Sequence, residues 1–219
     1  MKEPDSVRED ALRRTSVALA GEGLEYFAQY KLRVLRRVLG KSFAAPILDF
    51  GCGAGDLTRL LAQTFDTVHG YDPSAQSIEL AKKRVPRAEL FDDPAALPKN
   101  HYGAVILAGV VRHVPPENRP GLMRNVVQLL ARRGKAVVFE HNGLHPIMRK
   151  VVRDAEDPDT IIPSPWEVKR LLKDAGLAKR SLEYIVFFPR ALSMLRPLEP
   201  LMSRIPAGAQ VVAWGEKRH

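Results

Sequence analysis

A glycine-rich loop between a strand pattern and a helix pattern constrains this chain more than any other feature. Residues 46–50 read as a short buried strand, which runs directly into residues 51–55, GCGAG. Leu57, Leu60 and Leu61 then mark a helix. Glycines at such a junction let the backbone turn tightly and approach a ligand closely, where any Cβ would obstruct it. We therefore expect a ligand-binding loop at residues 51–55.

The loop does not fit the dinucleotide fingerprint, which reads G-x-G-x-x-G or ends in alanine. Counted from Gly51 the last position is Asp56, and counted from Gly53 it is Thr58. An acidic side chain at the helix start would also repel a pyrophosphate, which is drawn to the positive end of the helix dipole. A cofactor without a phosphate would not be repelled in this way.

Strand and helix patterns alternate along most of the chain. Such alternation predicts a parallel sheet with helices on both faces, and the last two strands then require a reversed strand at the sheet edge. We predict an α/β, Rossmann-like fold with a seven-stranded, mostly parallel sheet, in a single domain over 1–219. Strand patterns occupy 46–50, 67–72, 88–92, 102–109, 135–140, 182–188 and 210–214, and helix patterns 21–40, 57–61, 74–84, 117–131 and 164–176.

The composition favours a cytoplasmic protein. No apolar run suits a signal peptide or a bilayer span, and the single cysteine, Cys52, excludes an internal disulfide and a thiolate metal cluster. The formal charge of +9 is compatible with nucleic acid, an anionic membrane or acidic metabolites. Because the basic residues are spread over polar helix faces, we favour solvated surfaces over a nucleic-acid footprint.

Residues 49–55 resemble motif I of the class I S-adenosylmethionine-dependent methyltransferases, and the similarity extends over about 22–140. The resemblance implies that Asp49 orients the amino-acid end of the cofactor, Asp72 accepts the ribose hydroxyls and Asp93 contacts the adenine amino group. Ligands of such sheets bind at the carboxyl ends of the strands. The cofactor-binding residues that it implies are Tyr26, Tyr30, Asp49, Gly51, Cys52, Gly53, Gly55, Asp72, Pro73, Asp93 and Gly109.

Two further segments take their expected roles from the same resemblance. After a loose leader at 1–20, the helix at 21–40, with Tyr26, Tyr30 and Lys31, is similar to the N-terminal lid over the cofactor in related enzymes. Core packing is the alternative for at least one tyrosine. The proline-punctuated insert at 189–206 is expected to shape the acceptor pocket.

Two histidines are the candidate catalytic bases. His113 follows the fourth strand, titrates near neutrality and resembles a histidine of many small-molecule methyltransferases. Bracing its own loop is the alternative role. His141, between Glu140 and Asn142 at the end of the fifth strand, is the second candidate. The polar groups of residues 140–142 either contact the substrate or satisfy backbone groups of the following loop.

The sequence lacks the residues that several other methylation reactions require. Amino methylation of DNA bases needs an Asn/Asp-Pro-Pro-aromatic run after the fourth strand, which is missing. Pyrimidine C5 methylation needs a cysteine nucleophile, yet Cys52 sits in the cofactor loop. Asp154, Asp157 and Asp159 form an acidic cluster whose spacing fits no metal-ligand pattern, so no metal is predicted.

The resemblance is to bacterial small-molecule methyltransferases, with S-adenosylhomocysteine as product. The apolar and basic stretch 187–205 favours an amphipathic acceptor, lipid-like or sugar-like, methylated on oxygen or nitrogen. It also suggests peripheral membrane contact, with packing over the sheet edge as the alternative. Two other functions remain open, an RNA-modifying methyltransferase and a non-catalytic S-adenosylmethionine-binding protein.

Overall fold

The computed structural model describes residues 22–40, 42–146, 148–150 and 160–218. The predicted leader at 1–20 and the acidic cluster at 154–159 lie outside the described residues. The helices are α1 (Leu24–Leu39), α2 (Asp56–Ala62), α3 (Ala75–Arg84), α4 (Arg119–Leu129), α5 (Pro165–Asp174) and α6 (Glu199–Met202), with 3₁₀ turns at Pro94–Ala96, Val111–His113, Pro116–Asn118 and Arg190–Leu198. The strands are β1 (Ile47–Phe50), β2 (Val68–Tyr71), β3 (Glu89–Phe91), β4 (Tyr102–Ala108), β5 (Leu130–His141), β6 (Ala178–Ile185) and β7 (Gln210–Glu216).

The strands form one sheet in the order β3-β2-β1-β4-β5-β7-β6. Only β7 is reversed, and it pairs antiparallel with both β5 and β6. The predicted Rossmann-like, seven-stranded, mostly parallel sheet is confirmed, and the reversed strand lies one position inside the edge that β6 forms. Strand order reverses between β1 and β4, so the crevice at their carboxyl ends is where such a sheet binds ligands.

Helices cover both faces of the sheet, as the alternation predicts. The central strand β4 carries the run YGAVILA and is buried along nearly its whole length, which is typical of a strand covered on both sides. The first face packs on α1 and α2 and the second on α4 and α5. Their buried side chains include Val34, Leu35 and Leu61 on the first face and Met123, Val126 and Leu172 on the second.

The helix α1 is amphipathic, and both of its sides are anchored. Val34, Leu35 and Val38 are buried against the sheet. On its polar side, Arg37 Nη1 donates to Glu183 of β6 at 2.9 Å. This helix is therefore fixed over the same half of the sheet that carries the reversed strand.

The strand predicted at 182–188 is wrong at both ends, since β6 spans Ala178–Ile185. Val186 has φ of +61°, a left-handed backbone that turns the chain out of the sheet. Phe187 and Phe188 then donate their backbone N–H groups to Glu199 instead of to a strand. The fifth strand also begins five residues before the predicted 135, because Leu130 already pairs with Tyr102 ahead of a bulge.

None of the helices in the described parts of the chain combines the length and the apolarity needed to cross a bilayer.

Candidate active site

The glycine loop connects β1 to α2 and is tied to the neighbouring strand. The backbone N–H groups of Gly51 and Cys52 both donate to the Tyr71 carbonyl, at 2.6 and 2.9 Å. Gly51 has φ of +78°, and a Cβ at this residue would lie 2.5 Å from Val110 Cγ2. The loop after β4 thus packs directly on the glycine loop, and a side chain at Gly51 has no room.

Asp72 closes the other side of the glycine loop. One carboxylate oxygen accepts from the Gly53 N–H at 2.9 Å and the other from the Ser74 N–H at 3.0 Å. Ser74 in turn caps α3, with its hydroxyl accepting from the Ser77 N–H. The predicted ribose-binding acid therefore lies at the carboxyl end of β2, with Pro73 exposed beside it.

Asp49 lies beneath the loop and is only 1% exposed. Its Oδ2 accepts from the hydroxyl of Thr58 at 2.7 Å. Burial raises the pKa of Asp49 to about 6, although the Thr58 hydrogen bond and the positive charge of Lys31 oppose the rise. The sequence patterns point to Asp49 but not to Thr58 as its partner, because only the turn of α2 brings the hydroxyl under the loop.

Asp93 lies at the exposed end of β3 and caps the following 3₁₀ turn. Its Oδ1 accepts from the Ala95 N–H at 2.8 Å. The charges of Asp72 and Asp93 both add to the rise that burial produces in the Tyr71 pKa. The two acids thus share the surroundings of Tyr71, as the predicted ribose and adenine contacts require.

Cys52 is a buried part of the loop. Its pKa is raised by burial and by the charges of Asp49 and Asp72. The thiol lies 3.6 Å from the Gly53 carbonyl. Since the thiolate is the nucleophilic form of cysteine, Cys52 packs here as a neutral side chain.

The loop after β4 is clamped to the end of β5. Glu140 is buried, and its carboxylate accepts from the Arg112 N–H at 3.3 Å and from Arg112 Nη1 at 3.4 Å. Gly109 leaves room for this arrangement, because a Cβ there would lie 2.3 Å from Arg112 Nη1. Glu140 therefore has a structural partner in the loop after β4, and not in the loop that follows β5 as the alternative role had it.

Asn142 also has a structural role. Its amide nitrogen donates to the carbonyls of Gly208 at 2.8 Å and Pro206 at 3.3 Å, and its oxygen accepts from the Leu144 N–H. This buried amide joins the loop after β5 to the turn before β7.

His141, the last residue of β5, and His113, in the turn after β4, lie in the same region. Burial lowers the pKa of His141 well below its usual range, and the positive charges of Arg112, Lys31 and His113 lower it further. The Nδ1 atom of His141 is buried and has no hydrogen-bond partner among the described residues. His113 is more exposed and follows β4 in a 3₁₀ turn. The structure therefore brings both predicted bases together and keeps His141 neutral near neutral pH.

Lys31 adds a cation to this edge of the sheet. Burial and the charge of Arg112 lower the pKa of Lys31 to about 8, while Asp49 and Glu140 oppose the shift. The helix α1 thus reaches the carboxyl ends of β1 and β5 through this side chain.

The two tyrosines of α1 both contact the insert after β6. The Tyr30 hydroxyl donates to Glu199 Oε2 at 2.5 Å. The guanidinium of Arg196 lies 4.4 Å from the centre of the Tyr26 ring. The Tyr26 hydroxyl is buried without a hydrogen-bond partner among the described residues. Both remain predicted cofactor contacts, on a helix that is joined to the insert.

A family model described as a methyltransferase domain matches residues 22–182. An uncharacterized methyltransferase of Bacillus cytotoxicus is 30% identical to this chain over 123 residues, which make up 53% of this chain and 57% of that protein. The chain thus spans little more than half the length of that relative.

Two solved structures show the same fold. The S-adenosylmethionine-dependent methyltransferase of Archaeoglobus fulgidus superposes with a TM-score of 0.70 and 16% identity, over 89% of this chain and 95% of that one. The phosphoethanolamine N-methyltransferase 2 of Haemonchus contortus, in complex with S-adenosyl-L-methionine, superposes with a TM-score of 0.64 and 17% identity, over 90% of this chain and 53% of that one. Because the family model covers well over half of its length, this chain belongs to the methyltransferase domain family.

Proposed function

We propose that this chain transfers a methyl group from S-adenosylmethionine to an oxygen or nitrogen atom of a small, amphipathic acceptor. The observation that carries the proposal is the arrangement at the carboxyl edge of the sheet. Asp49 lies beneath the glycine loop and Asp72 lies beside it. At the end of β5, the ring of His141 is neutral, and its buried Nδ1 atom has no hydrogen-bond partner among the described residues.

The residues of this edge fit the proposed cofactor. Each oxygen of Asp72 accepts one backbone N–H and retains a lone pair for a ribose hydroxyl. The buried carboxylate of Asp49 suits the cationic amino-acid end, since a nearby positive charge favours its ionised form. When bound, S-adenosylmethionine supplies a methyl group that is already activated for in-line displacement.

The remaining task of the chain is to position the acceptor and to remove its proton. We assign the base role to His141, because its imidazole is neutral near neutral pH and its Nδ1 atom has no hydrogen-bond partner among the described residues, so the ring can take up a proton from a hydroxyl or an ammonium group. His113, in the loop that Glu140 clamps through Arg112, is the second candidate. Lys31 and Arg112 favour an acceptor that carries an anionic or strongly polar group beside the reacting atom.

The roles of the flanking segments belong to the same proposal. Within the single domain, α1 serves as the lid and 189–206 as the wall of the acceptor site. Two contacts support a joint role, the stacking of Arg196 on Tyr26 and the hydrogen bond from Tyr30 to Glu199.

The distribution of charge supports a small molecule over RNA. Several basic side chains on the helices are paired with acids of neighbouring elements, which reduces the positive charge that they offer to a nucleic acid. Such ion pairs join Arg37 to Glu183, Arg59 to Glu25 and Arg84 to Asp56.

The cofactor assignment is tested by isothermal titration with S-adenosylmethionine. We expect binding by the wild type, a loss of about tenfold or more in Asp72→Ala, and no change in Asp174→Ala, an exposed carboxylate on α5. Absence of wild-type binding contradicts the proposal. Formation of S-adenosylhomocysteine from a panel of amphipathic phenols and sugars then separates an enzyme from a protein that only binds the cofactor.

A further inference from the structure

The insert between β6 and β7 covers two of its charged side chains, Arg196 and Glu199, and exposes its apolar side chains. Glu199 is 4% exposed and Arg196 is mostly covered. In contrast, Met194 is 92% exposed and Leu201 is 83% exposed. This is the reverse of an ordinary surface segment, in which apolar groups face the core.

The local geometry explains how one strip of the insert becomes apolar. Residues Arg190–Leu198 form 3₁₀ turns, in which side chains three apart lie on one face. The exposed leucines Leu192, Leu195 and Leu198 recur at this spacing, and the covered residues Arg196 and Glu199 lie at other positions between and after them. The outward apolar side chains are Leu192, Met194, Leu195, Leu198, Leu201 and Ile205, which we call the apolar strip.

Inward contacts hold the insert in this orientation. Arg196 donates to Glu22 at 2.8 Å and stacks on Tyr26. Glu199 accepts from Tyr30 and from the backbone of Phe187 and Phe188. Rotating the insert to bury the apolar strip would break all of these contacts, so its exposure is built into the fold.

The apolar strip is framed by positive charge. Arg190 and Arg204 are exposed at its two ends, and Glu199, the single acid within 190–205, is buried. Arg33 lies next to the insert on α1, exposed, with its guanidinium 5.0 Å from the centre of the Tyr30 ring. An apolar surface framed by arginines complements an anionic lipid surface, in which acyl chains lie below negative headgroups.

The same features disfavour the other occupants. In a twofold contact between two copies of this chain, Arg190 and Arg204 of one copy would meet those of the other, and like charges would repel. The apolar strip has no aromatic side chain, whereas protein interfaces are enriched in aromatics. We propose that residues 190–205 dock this protein peripherally on an anionic bilayer surface. The apolar strip faces outward from the insert, and vesicle binding needs neither cofactor nor acceptor, so its test does not depend on the proposed function.

Vesicle flotation tests the proposal. The full chain is mixed with vesicles of phosphatidylcholine alone or with an equal part of phosphatidylglycerol. We expect flotation with the anionic vesicles that weakens at high salt, and about tenfold less in the double variant Met194→Asp/Leu201→Asp. The matched control is Leu80→Asp/Trp166→Asp, which changes two exposed apolar residues on α3 and α5 and should float like the wild type.

Other outcomes overturn the proposal. These are no wild-type flotation, equal flotation with neutral vesicles, or undiminished flotation of the strip variant. A wild-type dimer in sedimentation that the strip variant converts to a monomer assigns the surface to a second copy instead. Unchanged thermal unfolding and an unchanged far-ultraviolet circular dichroism spectrum of the variants establish that they are folded.

Discussion

The carboxylate of Asp49 accepts a hydrogen bond from the hydroxyl of Thr58 at 2.7 Å, and both side chains are shielded from solvent. Burial raises the pKa of Asp49 to about 6 despite this bond. The folded protein therefore retains a proton on Asp49 at a higher pH than the unfolded chain does. The proposed cofactor requires the ionised form, so the requirements of binding and of stability oppose each other at this residue.

Cofactor affinity should fall at acidic pH. Below the Asp49 pKa of about 6, the binding-competent carboxylate is progressively protonated, and affinity should drop by up to about tenfold for each further pH unit. Titration calorimetry with S-adenosylmethionine across this range measures the slope. The variant Asp49→Asn should bind weakly at every pH without this slope, and a flat wild-type profile contradicts the assignment.

The same residue makes a prediction about stability. Because the pKa of Asp49 is raised on folding, its contribution is favourable below the unfolded pKa and is lost as pH rises through about 6. At mildly alkaline pH, Asp49→Asn should therefore raise the free energy of unfolding of the ligand-free protein, by about 1 kcal/mol. Urea denaturation measures it, with the exposed Asp174→Asn as control. A destabilised Asp49→Asn would show that ionised Asp49 supports the fold.

A methyl group at Gly51 should weaken cofactor binding. It would lie 2.5 Å from Val110 Cγ2, and the backbone there has φ of +78°. We expect Gly51→Ala to lose binding by about tenfold or more and Gly51→Ala/Val110→Ala to recover part of it, because the residual backbone strain is about 1 kcal/mol. Calorimetry compares the variants with Val110→Ala alone. Binding by Gly51→Ala equal to wild type would show that the packing of these loops is not needed.

The acids at the strand ends were predictable from the sequence, whereas the side chains that hydrogen-bond to them were not. Asp49, Asp72 and Asp93 lie at or just beyond the carboxyl ends of three consecutive strands, so the alternating pattern places the acids that the resemblance singles out at one edge of the sheet. Thr58 entered the sequence argument only as a mismatch to the dinucleotide fingerprint, yet it is the hydrogen-bond donor to Asp49. Local spacing predicts which elements meet but not which polar atoms pair inside them.

Contacts between residues far apart in the sequence explain the remaining differences between the predicted and the observed structure. The sequence pattern of 182–188 is apolar enough for a strand. However, Val186 turns the chain, and the backbone N–H groups of Phe187 and Phe188 then donate to Glu199. Glu199 also accepts from Tyr30, which is 169 residues away. Sequence periodicity carries no information about contacts at that separation. The end of β6 and the contacts between α1 and the insert could therefore be identified only from the structure.

Arg119 should be far more important to stability than the surface arginines. It is 1% exposed, and it pairs with Glu167 at 2.6 Å and donates to the carbonyls of Val114 and Ile161. Arg119→Met should lower the free energy of unfolding by about 2 kcal/mol, since it removes the three hydrogen bonds that the buried guanidinium donates to partly buried acceptors. Urea denaturation measures the loss. In the control Arg170→Ala, which removes an exposed pair with Asp174, the change should be about 0.5 kcal/mol or less. Equal effects of the two substitutions would contradict a structural role for the buried pair.

Removing the imidazole of His141 should separate catalysis from cofactor binding. Its pKa is depressed by burial and by Arg112, Lys31 and His113, so it remains a neutral base well into acidic solution. With an acceptor found by screening, His141→Ala should lower kcat by about a hundredfold or more, while calorimetry shows unchanged affinity for S-adenosylmethionine. His101→Ala, at the opposite end of β4, is the matched control. If His113→Ala instead causes the larger fall in kcat, the base lies in the loop after β4 and His141 only shapes the pocket. If neither substitution changes kcat, the acceptor reaches the methyl group already deprotonated, and the chain contributes positioning alone.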